Sequence, residues 1–292
     1  MQMSIEPYGK QYETELEPLL QRFDEDLWNQ FKAGQLENIF IAIRKNQLAG
    51  ALVTWKSKYH PNCTYFRIIT APSFSAQATV ERLFEKLEEM RTNAVPLVTS
   101  HWEKANVFTR SYLQKGFEII RKTYMPTLNL ANIKAHNFES NEKYRLCTVA
   151  DIHENDFILK ELLRLVKGNY EQSHEVNPVA KLSLNQWRDL TFSDNLIREG
   201  SFLFLMENRI IAYSFLHKST EENMLEIGWV GALESGYKKE LVSLVHRQLE
   251  YVREIGFKSI SGEFDTTDEY AMTVLESFPF TPTPAWLTLK KQ

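Results

Sequence analysis

The sequence has few cysteines and no strong charge of either sign, and both absences exclude classes of protein. Cys63 and Cys147 are the two cysteines among 292 residues, and they stand far apart. Two distant cysteines do not make a disulfide framework, so we expect a reduced, intracellular protein. The formal net charge is −4. Such a chain has no global basic field, and we therefore predict no nucleic-acid partner.

Long apolar segments and common catalytic motifs are also missing. No apolar run approaches the roughly 20 residues that a membrane-spanning helix needs, and the first residues do not have the pattern of a signal peptide. We therefore expect a soluble, cytoplasmic protein without a membrane partner. No P-loop, nucleophile elbow or dinucleotide-binding motif occurs. His60-Pro-Asn-Cys63 has no second ligand pair beside it, so we predict no metal site.

An internal repeat is the strongest positive feature of the sequence. Both halves contain a hairpin turn, the start of a crossover helix and a phenylalanine after a late helix in the same order. The matched positions are Asn46 and Asn208, Ser75 and Tyr237, and Phe117 and Phe280, which lie 162, 162 and 163 residues apart. Three landmarks with nearly one offset indicate a duplicated α/β unit.

The repeat and the chain length predict two domains. Residues 132–142 are polar and aperiodic, which is typical of a linker. We therefore predict an N-terminal domain over 1–131 and a C-terminal domain over 143–292. In this interpretation, strands at 117–124 and 125–130 are the last of the first domain, and a strand at 285–289 is the last of the second.

The stretch from Ile68 to Glu88 has the pattern of an anion site. An apolar strand end leads through a turn of small residues into an amphipathic helix. The first N–H groups of a helix have no partner within the helix, and its dipole favours negative charge there. Small side chains let a phosphate approach these N–H groups closely.

Two further segments carry a resemblance to a known family. Asn106-Val-Phe-Thr-Arg-Ser-Tyr-Leu-Gln-Lys-Gly-Phe117 resembles the late helix of GNAT (GCN5-related) N-acetyltransferases, and Pro284-Ala-Trp-Leu287 resembles a common closing strand of these domains. Each half is similar to one such domain, and the whole chain to a tandem GNAT protein. The resemblance implies an α/β (α+β) fold with two mixed, mostly antiparallel, splayed sheets flanked by helices.

The same resemblance implies acetyl-CoA as cosubstrate. In the family, pantetheine pairs with the end of the fourth strand and the pyrophosphate lies on the turn before the crossover helix, while an Asn of the late helix touches CoA. The matching residues are Ile69, Thr70 and Ala71, then Ser75, Ala76, Gln77, Ala78, Thr79 and Val80, and finally Asn106. The family turn has Gly where Ala78 stands. For Asn106 a role as helix N-cap is the alternative.

The second half departs further from the family pattern. Its turn has Glu240 at the position of the central Gly. A carboxylate about 6 Å from a diphosphate costs on the order of 1–3 kcal/mol at intermediate dielectric. We therefore expect the cofactor site in the first half. A site in the second half, where Lys238 and Lys239 offset the charge of Glu240, is the alternative.

The chemistry requires a base for the amine and an acid for the leaving thiolate. By resemblance, Tyr112 matches the family's acid, whereas Leu275 at the same place in the second half cannot donate a proton. Glu226 matches a family base in the second half. Packing of Tyr112 on the sheet and a solvent-facing Glu226 are the alternatives. The corresponding strand of the first half has Arg67, and the nearest base candidates there are His101 and Glu103.

These observations predict an acetyl-CoA-dependent N-acetyltransferase that acts on a primary amine of a small molecule or peptide, as a monomer or homodimer. The alternative is a non-catalytic binding or regulatory protein that has the fold but has lost CoA chemistry.

Overall fold

A computed structural model of the chain describes residues 3–23, 25–72, 74–91, 95–133 and 143–292. The chain forms two compact units. The first contains Met1–Ile120, Asn177–Ala180 and Trp286–Gln292, and the second contains Arg121–Val176 and Lys181–Ala285. Most of the predicted linker, residues 134–142, lies outside the described residues.

Nine helices and fourteen strands are assigned in the described residues. The helices are α1 (Glu13–Phe23), α2 (Glu25–Lys32), α3 (Ala76–Met90), α4 (Asn106–Gln114), α5 (Val149–Ile152), α6 (Asp156–Ser173), α7 (Leu184–Thr191), α8 (Lys238–Glu254) and α9 (Glu269–Ser277). The strands are β1 (Ser4–Pro7), β2 (Asn38–Arg44), β3 (Gln47–Trp55), β4 (Thr64–Thr70), β5 (Leu97–Trp102), β6 (Glu118–Tyr124), β7 (Thr127–Asn129), β8 (Arg145–Thr148), β9 (Phe202–Met206), β10 (Arg209–Lys218), β11 (Leu225–Ala232), β12 (Ser259–Gly262), β13 (Phe264–Asp265) and β14 (Trp286–Lys291). None of the described helices is both long and apolar enough to span a bilayer.

The first unit contributes the strands β1-β2-β3-β4-β5-β14, in this order, to a sheet of eight strands. The β2–β3 hairpin turns through Lys45 and Asn46, whose φ angles of 53° and 59° match the turn that a two-residue hairpin prefers. All neighbours in this order whose pairing is described are antiparallel except β4 and β5. Those two strands pair in parallel at Thr64–Leu97 and Tyr65–Val98 and then part. The first sheet therefore opens between β4 and β5.

The second unit repeats this arrangement in a sheet with the order β7-β12-β11-β10-β9-β8. Its one parallel pair is β11 with β12, and the pairing ends at Ile227–Gly262. Residues 228–232 of β11 continue without a partner from β12, so the second sheet opens at the corresponding place. Two mixed, mostly antiparallel, splayed sheets flanked by helices confirm the predicted fold class.

The same backbone hydrogen bond occurs at matched positions in both halves of the chain. The Ala71 amide donates to the Ala49 carbonyl at 2.9 Å, and the Leu233 amide donates to the Ile211 carbonyl at 2.9 Å. Donors and acceptors are both 162 residues apart, which is the offset read from the sequence. The N-caps of the two crossover helices, Ser75 and Tyr237, have the same offset.

The closing strands lie in the sheet of the opposite half. β14, the last strand of the chain, pairs antiparallel with β5 from Trp286–Trp102 to Lys291–Leu97. β7, which precedes the linker, pairs antiparallel with β12 in the second sheet. The predicted linear boundaries, 1–131 and 143–292, do not include this exchange.

Helices cover both faces of each sheet. In the first unit, Leu16, Leu20 and Leu27 of α1 and α2 pack on one face in a core with Ile41, Val53 and Ile69, among others. On the other face, the ring of Phe66 contacts the rings of Phe84 on α3 and Tyr112 on α4. In the second unit, α5 and α6 form one apolar core with the sheet, and α8 and α9 form another. The helices thus flank the point at which each sheet opens.

Candidate functional site

The end of β4 presents backbone groups to the gap in the first sheet. Hydrogen-bonding direction alternates along a strand. Because the Ala71 amide points to β3, the N–H and C=O of Thr70 point away from β3 and into the gap. Gly50 on β3 permits this close packing, since a Cβ there would lie 2.4 Å from the Ile69 carbonyl oxygen and 2.7 Å from the Thr79 methyl carbon. Of the three predicted strand residues, Thr70 therefore faces the gap through its backbone.

The first turn of α3 lies next along the chain and has unpartnered N–H groups. The Ser75 side chain makes no cap hydrogen bond, and no acidic residue stands in the first turn. The Thr79 amide donates to the Ser75 carbonyl at 3.2 Å, but the amides of Ala76, Gln77 and Ala78 have no hydrogen-bond acceptor among the described residues. Three N–H groups that lack an acceptor in the described part of the chain, at the positive end of a 15-residue helix, are suited to an anion.

The side chains around these N–H groups do not block them. Ala76 and Ala78 are small and half-buried. The Gln77 side-chain amide donates to Glu81 Oε1 at 2.6 Å, which holds it along the helix. Thr79 and Val80 are 0% and 1% exposed. These two predicted contact residues therefore support the turn from beneath, and the surface of the turn is formed by the residues before them.

Tyr112 lies in a cluster of aromatic rings at the point where β4 and β5 part. Its ring centroid is 5.7 Å from that of Phe66 on β4, 5.6 Å from His101 on β5 and 5.4 Å from Phe117. Gly116, with φ 84°, ends α4 as predicted. Burial raises the pKa of the Tyr112 hydroxyl far above its usual value, against the opposing effects of Arg67 and Thr99. The hydroxyl therefore stays protonated at neutral pH, as a general acid must.

His101 is the titratable neighbour of Tyr112. Its Nε2 lies 2.8 Å from the Thr109 hydroxyl oxygen, and its buried Nδ1 has no hydrogen-bond partner among the described residues. Burial, and then the positive charge of Arg67, lower the pKa of His101 to about 4. The imidazole is therefore neutral at physiological pH. Glu103, the other nearby candidate from the sequence, is exposed.

Asn106 is the first residue of α4, and its side chain is exposed. The N-cap of this helix is Ala105, so the alternative role of Asn106 as an N-cap is wrong. The sequence predicted a helix from Ala105, one residue before the observed start, and Ala105 has no capping side chain that would mark it as the N-cap. The Asn106 backbone amide donates to the Lys104 carbonyl at 3.0 Å, whereas its side-chain amide forms no hydrogen bond within the part of the chain that the structure describes.

Glu226, the predicted base, belongs to the second unit, whereas Tyr112 belongs to the first. It stands near the start of β11, before the sheet opens, opposite His217 on β10 and Ser261 on β12. Burial raises the pKa of its carboxyl group. Leu275 of the second unit is partly buried against the apolar core. Tyr112 and Glu226 are thus not paired within either unit, and His101 is the base candidate that lies beside Tyr112.

In the second unit, an ion pair joins the helices on both sides of the gap. Lys238 Nζ lies 2.8 Å from Glu269 Oε2. These are the first residues of α8 and α9, and their counterparts in the first unit are the uncharged Ala76 and Asn106. Glu240, which replaces Ala78, adds a carboxylate to the first turn of α8. The second helix start is therefore unsuited to a diphosphate.

Asn169 closes the strand end of the second gap. Its amide nitrogen lies 3.3 Å from the carbonyl oxygen of Ala232, the counterpart of Thr70. A cavity of about 80 Å³ lies beside it, lined in part by Asn169, Asp268 and Glu269. Small-molecule sites usually have about 300–1,000 Å³. Sequence reasoning missed both Asn169 and the ion pair, although the opposite charges at two matched helix starts were a readable signal.

The chain is similar to known proteins in its fold. No family model and no curated protein sequence matches the chain. Among solved structures, a GCN5-related N-acetyltransferase from Sphaerobacter thermophilus has a TM-score of 0.63 and 12% identity, covering 99% of this chain and 95% of that one. A tandem GNAT protein from the clavulanic acid biosynthesis pathway has a TM-score of 0.59 and 12% identity, covering 99% and 98%. The glucosamine N-acetyltransferase region of a fungal β-N-acetylglucosaminidase has a TM-score of 0.64 and 11% identity, covering 99% of this chain and 38% of that one.

These likenesses cover nearly the whole chain, and at such identities they show the fold. The chain has the fold of the GNAT N-acetyltransferases, in the tandem form. The predicted resemblance to this family is therefore confirmed for the fold.

Proposed function

We propose that the chain is an acyl-CoA-dependent N-acetyltransferase that binds acetyl-CoA in the gap of its first unit and acetylates a primary amine of a small molecule or peptide. The observation that carries the proposal is the start of α3, where three N–H groups have no acceptor among the described residues and the first helical turn has no carboxylate. The proposal includes the predictions of a monomer or homodimer in the cytoplasm, with no nucleic-acid or membrane partner.

Each first-unit residue has a role in this proposal. The backbone of Thr70 pairs with the pantetheine amides, and the amides of Ala76, Gln77 and Ala78 hold the diphosphate. Tyr112 keeps the proton that the leaving thiolate needs, because its burial disfavours the phenolate. Acetyl-CoA supplies the activated acetyl group. Asn106, exposed at the start of α4, contacts CoA with its side chain in this proposal.

The acceptor amine must be neutral to react. Arg67 lies close enough to the gap to lower the pKa values of both His101 and Tyr112. A nearby positive charge also favours the neutral form of an amine. The amine enters in its neutral form in this proposal, because the low pKa of His101 makes it too weak a base for an ammonium group. After attack on the acetyl carbonyl the nitrogen becomes much more acidic, and the neutral His101 accepts its proton at that stage. Glu226 stays a prediction as a base in the second unit.

Thermal stabilisation by acetyl-CoA tests the binding site. A ligand at 100 times its dissociation constant adds about 2.7 kcal/mol to the free energy of unfolding. We expect the wild-type chain to be stabilised and Ala78→Glu to lose this effect. An acid in the first helical turn is itself favourable, so Ala78→Glu retains its fold.

Glu240→Ala is the matched control, because it makes the reciprocal change at the same position of the second unit. We expect it to leave acetyl-CoA stabilisation unchanged. Stabilisation that survives Ala78→Glu but responds to Glu240→Ala would move the site to the second unit. No stabilisation of the wild-type chain at millimolar acetyl-CoA would refute the proposal.

The non-catalytic alternative is favoured by one observation. Tyr112 is 1% exposed, and five aromatic rings, including that of His101, lie around it. A tyrosine in such surroundings also serves as a packing residue. Acetyl-CoA binding without release of free CoA in the presence of a broad panel of primary amines would favour this alternative.

A further inference from the structure

A pocket of about 220 Å³ lies in the second unit, away from its sheet opening. It is formed by residues of α5, α6 and α7 and of the turns that follow α5 and α7. Its lining residues are Val149, His153, Leu159, Arg188, Asp189, Phe192 and Arg198. None of them belongs to β11, β12, α8 or α9, so the pocket is separate from the gap described above.

The floor of this pocket is apolar. Val149 and Leu159 belong to the core between α5, α6 and the sheet and are 1% and 5% exposed. Phe192 packs against the same core and is half-buried. For scale, a dry cavity of about 150 Å³ accommodates benzene. The volume therefore suits one ring or a short aliphatic chain.

The rim carries two arginines on different elements. Arg188 lies in the last turn of α7, and Arg198 lies in the short 3-10 turn Arg198–Gly200. Within the described residues, neither guanidinium forms an ion pair or a hydrogen bond. One carboxylate, Asp189, is also in the lining. These three side chains thus give the rim two positive charges and one negative charge.

His153 completes the polar part of the lining. Its Nδ1 lies 2.7 Å from the Ala150 carbonyl oxygen, which makes Nδ1 the protonated nitrogen of the neutral ring. Its Nε2 lies 3.7 Å from Glu154 Oε1. The imidazole ring therefore adds a polar edge to the lining.

We propose that this pocket binds a small organic carboxylate with an apolar ring or short chain. The guanidinium group matches a carboxylate in planar, two-point geometry, and a charged hydrogen bond is stronger than a neutral one. The apolar part of the ligand covers Val149, Leu159 and Phe192, while its carboxylate meets Arg188 and Arg198. The site is independent of acetyl-CoA.

Benzoate is the probe, and benzamide is its uncharged counterpart of nearly equal size. A ligand-observed NMR titration of the full chain without acetyl-CoA measures the affinity for each of the two compounds. We expect saturable binding of benzoate and at least about tenfold weaker binding of benzamide, because charged hydrogen bonds dominate the rim.

The variant Arg188→Gln/Arg198→Gln tests the rim directly. We expect it to weaken benzoate binding at least about tenfold, because both charge-assisted contacts are lost. Both side chains are exposed, and exposed substitutions rarely change stability by more than about 0.5 kcal/mol. The variant should therefore melt like the wild type.

Arg164→Gln is the matched control, since Arg164 is an exposed arginine of α6 outside the pocket lining, paired with Glu161. We expect it to bind benzoate like the wild type. The proposal is overturned if benzoate does not saturate, if benzamide binds equally well, or if Arg164→Gln weakens binding as much as the double variant.

Discussion

At the scale of single residues, the ring and the hydroxyl group of Tyr112 have separable roles in the proposed function. Its ring is held by Phe66, Phe84, Phe108 and Phe117, and the packing of the ring does not depend on the hydroxyl. Burial raises the pKa of that hydroxyl, so it does not titrate near neutral pH. Ring and hydroxyl can therefore be separated by experiment.

We predict that Tyr112→Phe lowers the turnover number by about 10²-fold or more, the range typical of a lost general acid. The acetyl-CoA dissociation constant should change by less than about threefold, because no backbone contact is lost. Steady-state kinetics and calorimetry measure the two quantities. If turnover is unchanged, Tyr112 is a packing residue alone.

At the scale of elements, the start of α9 contrasts with that of α4. Asp268 caps α9, with Oδ1 accepting hydrogen bonds from the amides of Tyr270 and Ala271 at 2.9 and 3.0 Å. Burial raises the pKa of Asp268 to about 6, against the effect of these hydrogen bonds. The folded state therefore binds the proton more tightly than the unfolded state.

The sign of the stability change follows from that shift. The unfolded carboxyl ionises near pH 4, whereas the folded one ionises near pH 6. Between these values the unfolded state binds fewer protons, so this group reduces stability as the pH rises. Above about pH 6 the carboxyl group is ionised in both states, so its effect on the free energy of unfolding no longer changes with pH.

We predict that Asp268→Asn is more stable than the wild type at pH 7 by about 1–2 kcal/mol, because it caps the helix without a buried charge. At pH 4 the two proteins should be nearly equal. Denaturant unfolding at both pH values measures the difference. Asp268→Ala, which loses the cap, should be less stable than Asp268→Asn at both.

A stability difference between Asp268→Asn and the wild type that is the same at pH 4 and pH 7 would contradict the raised pKa of Asp268. It would mean that the carboxyl group ionises alike in the folded and unfolded states.

The sequence predicted much of the local structure and less of the long-range pairing. Gly116 marked the end of α4, and the common offset of Asn46 and Asn208 revealed the duplication. The exchange of β7 and β14 was not predictable in this way, because both are short strands and their pattern does not identify their neighbours. The link between Asn169 and Ala232 joins residues distant in the sequence and has no local pattern.

At the scale of the whole molecule, duplication has produced two units with the same fold and different gaps. The first unit has an uncharged helix start and a strand end that is free to pair. In the second, the corresponding features are occupied by Lys238, Glu269 and Asn169. This asymmetry extends the sequence expectation that rested on Glu240 alone. Under the proposed function, we expect one acetyl-CoA per chain.

Isothermal titration calorimetry of the full chain with acetyl-CoA measures this number directly. We predict a stoichiometry of one per chain. A stoichiometry of two would contradict the closed second gap, and no binding at millimolar acetyl-CoA would contradict the open first one.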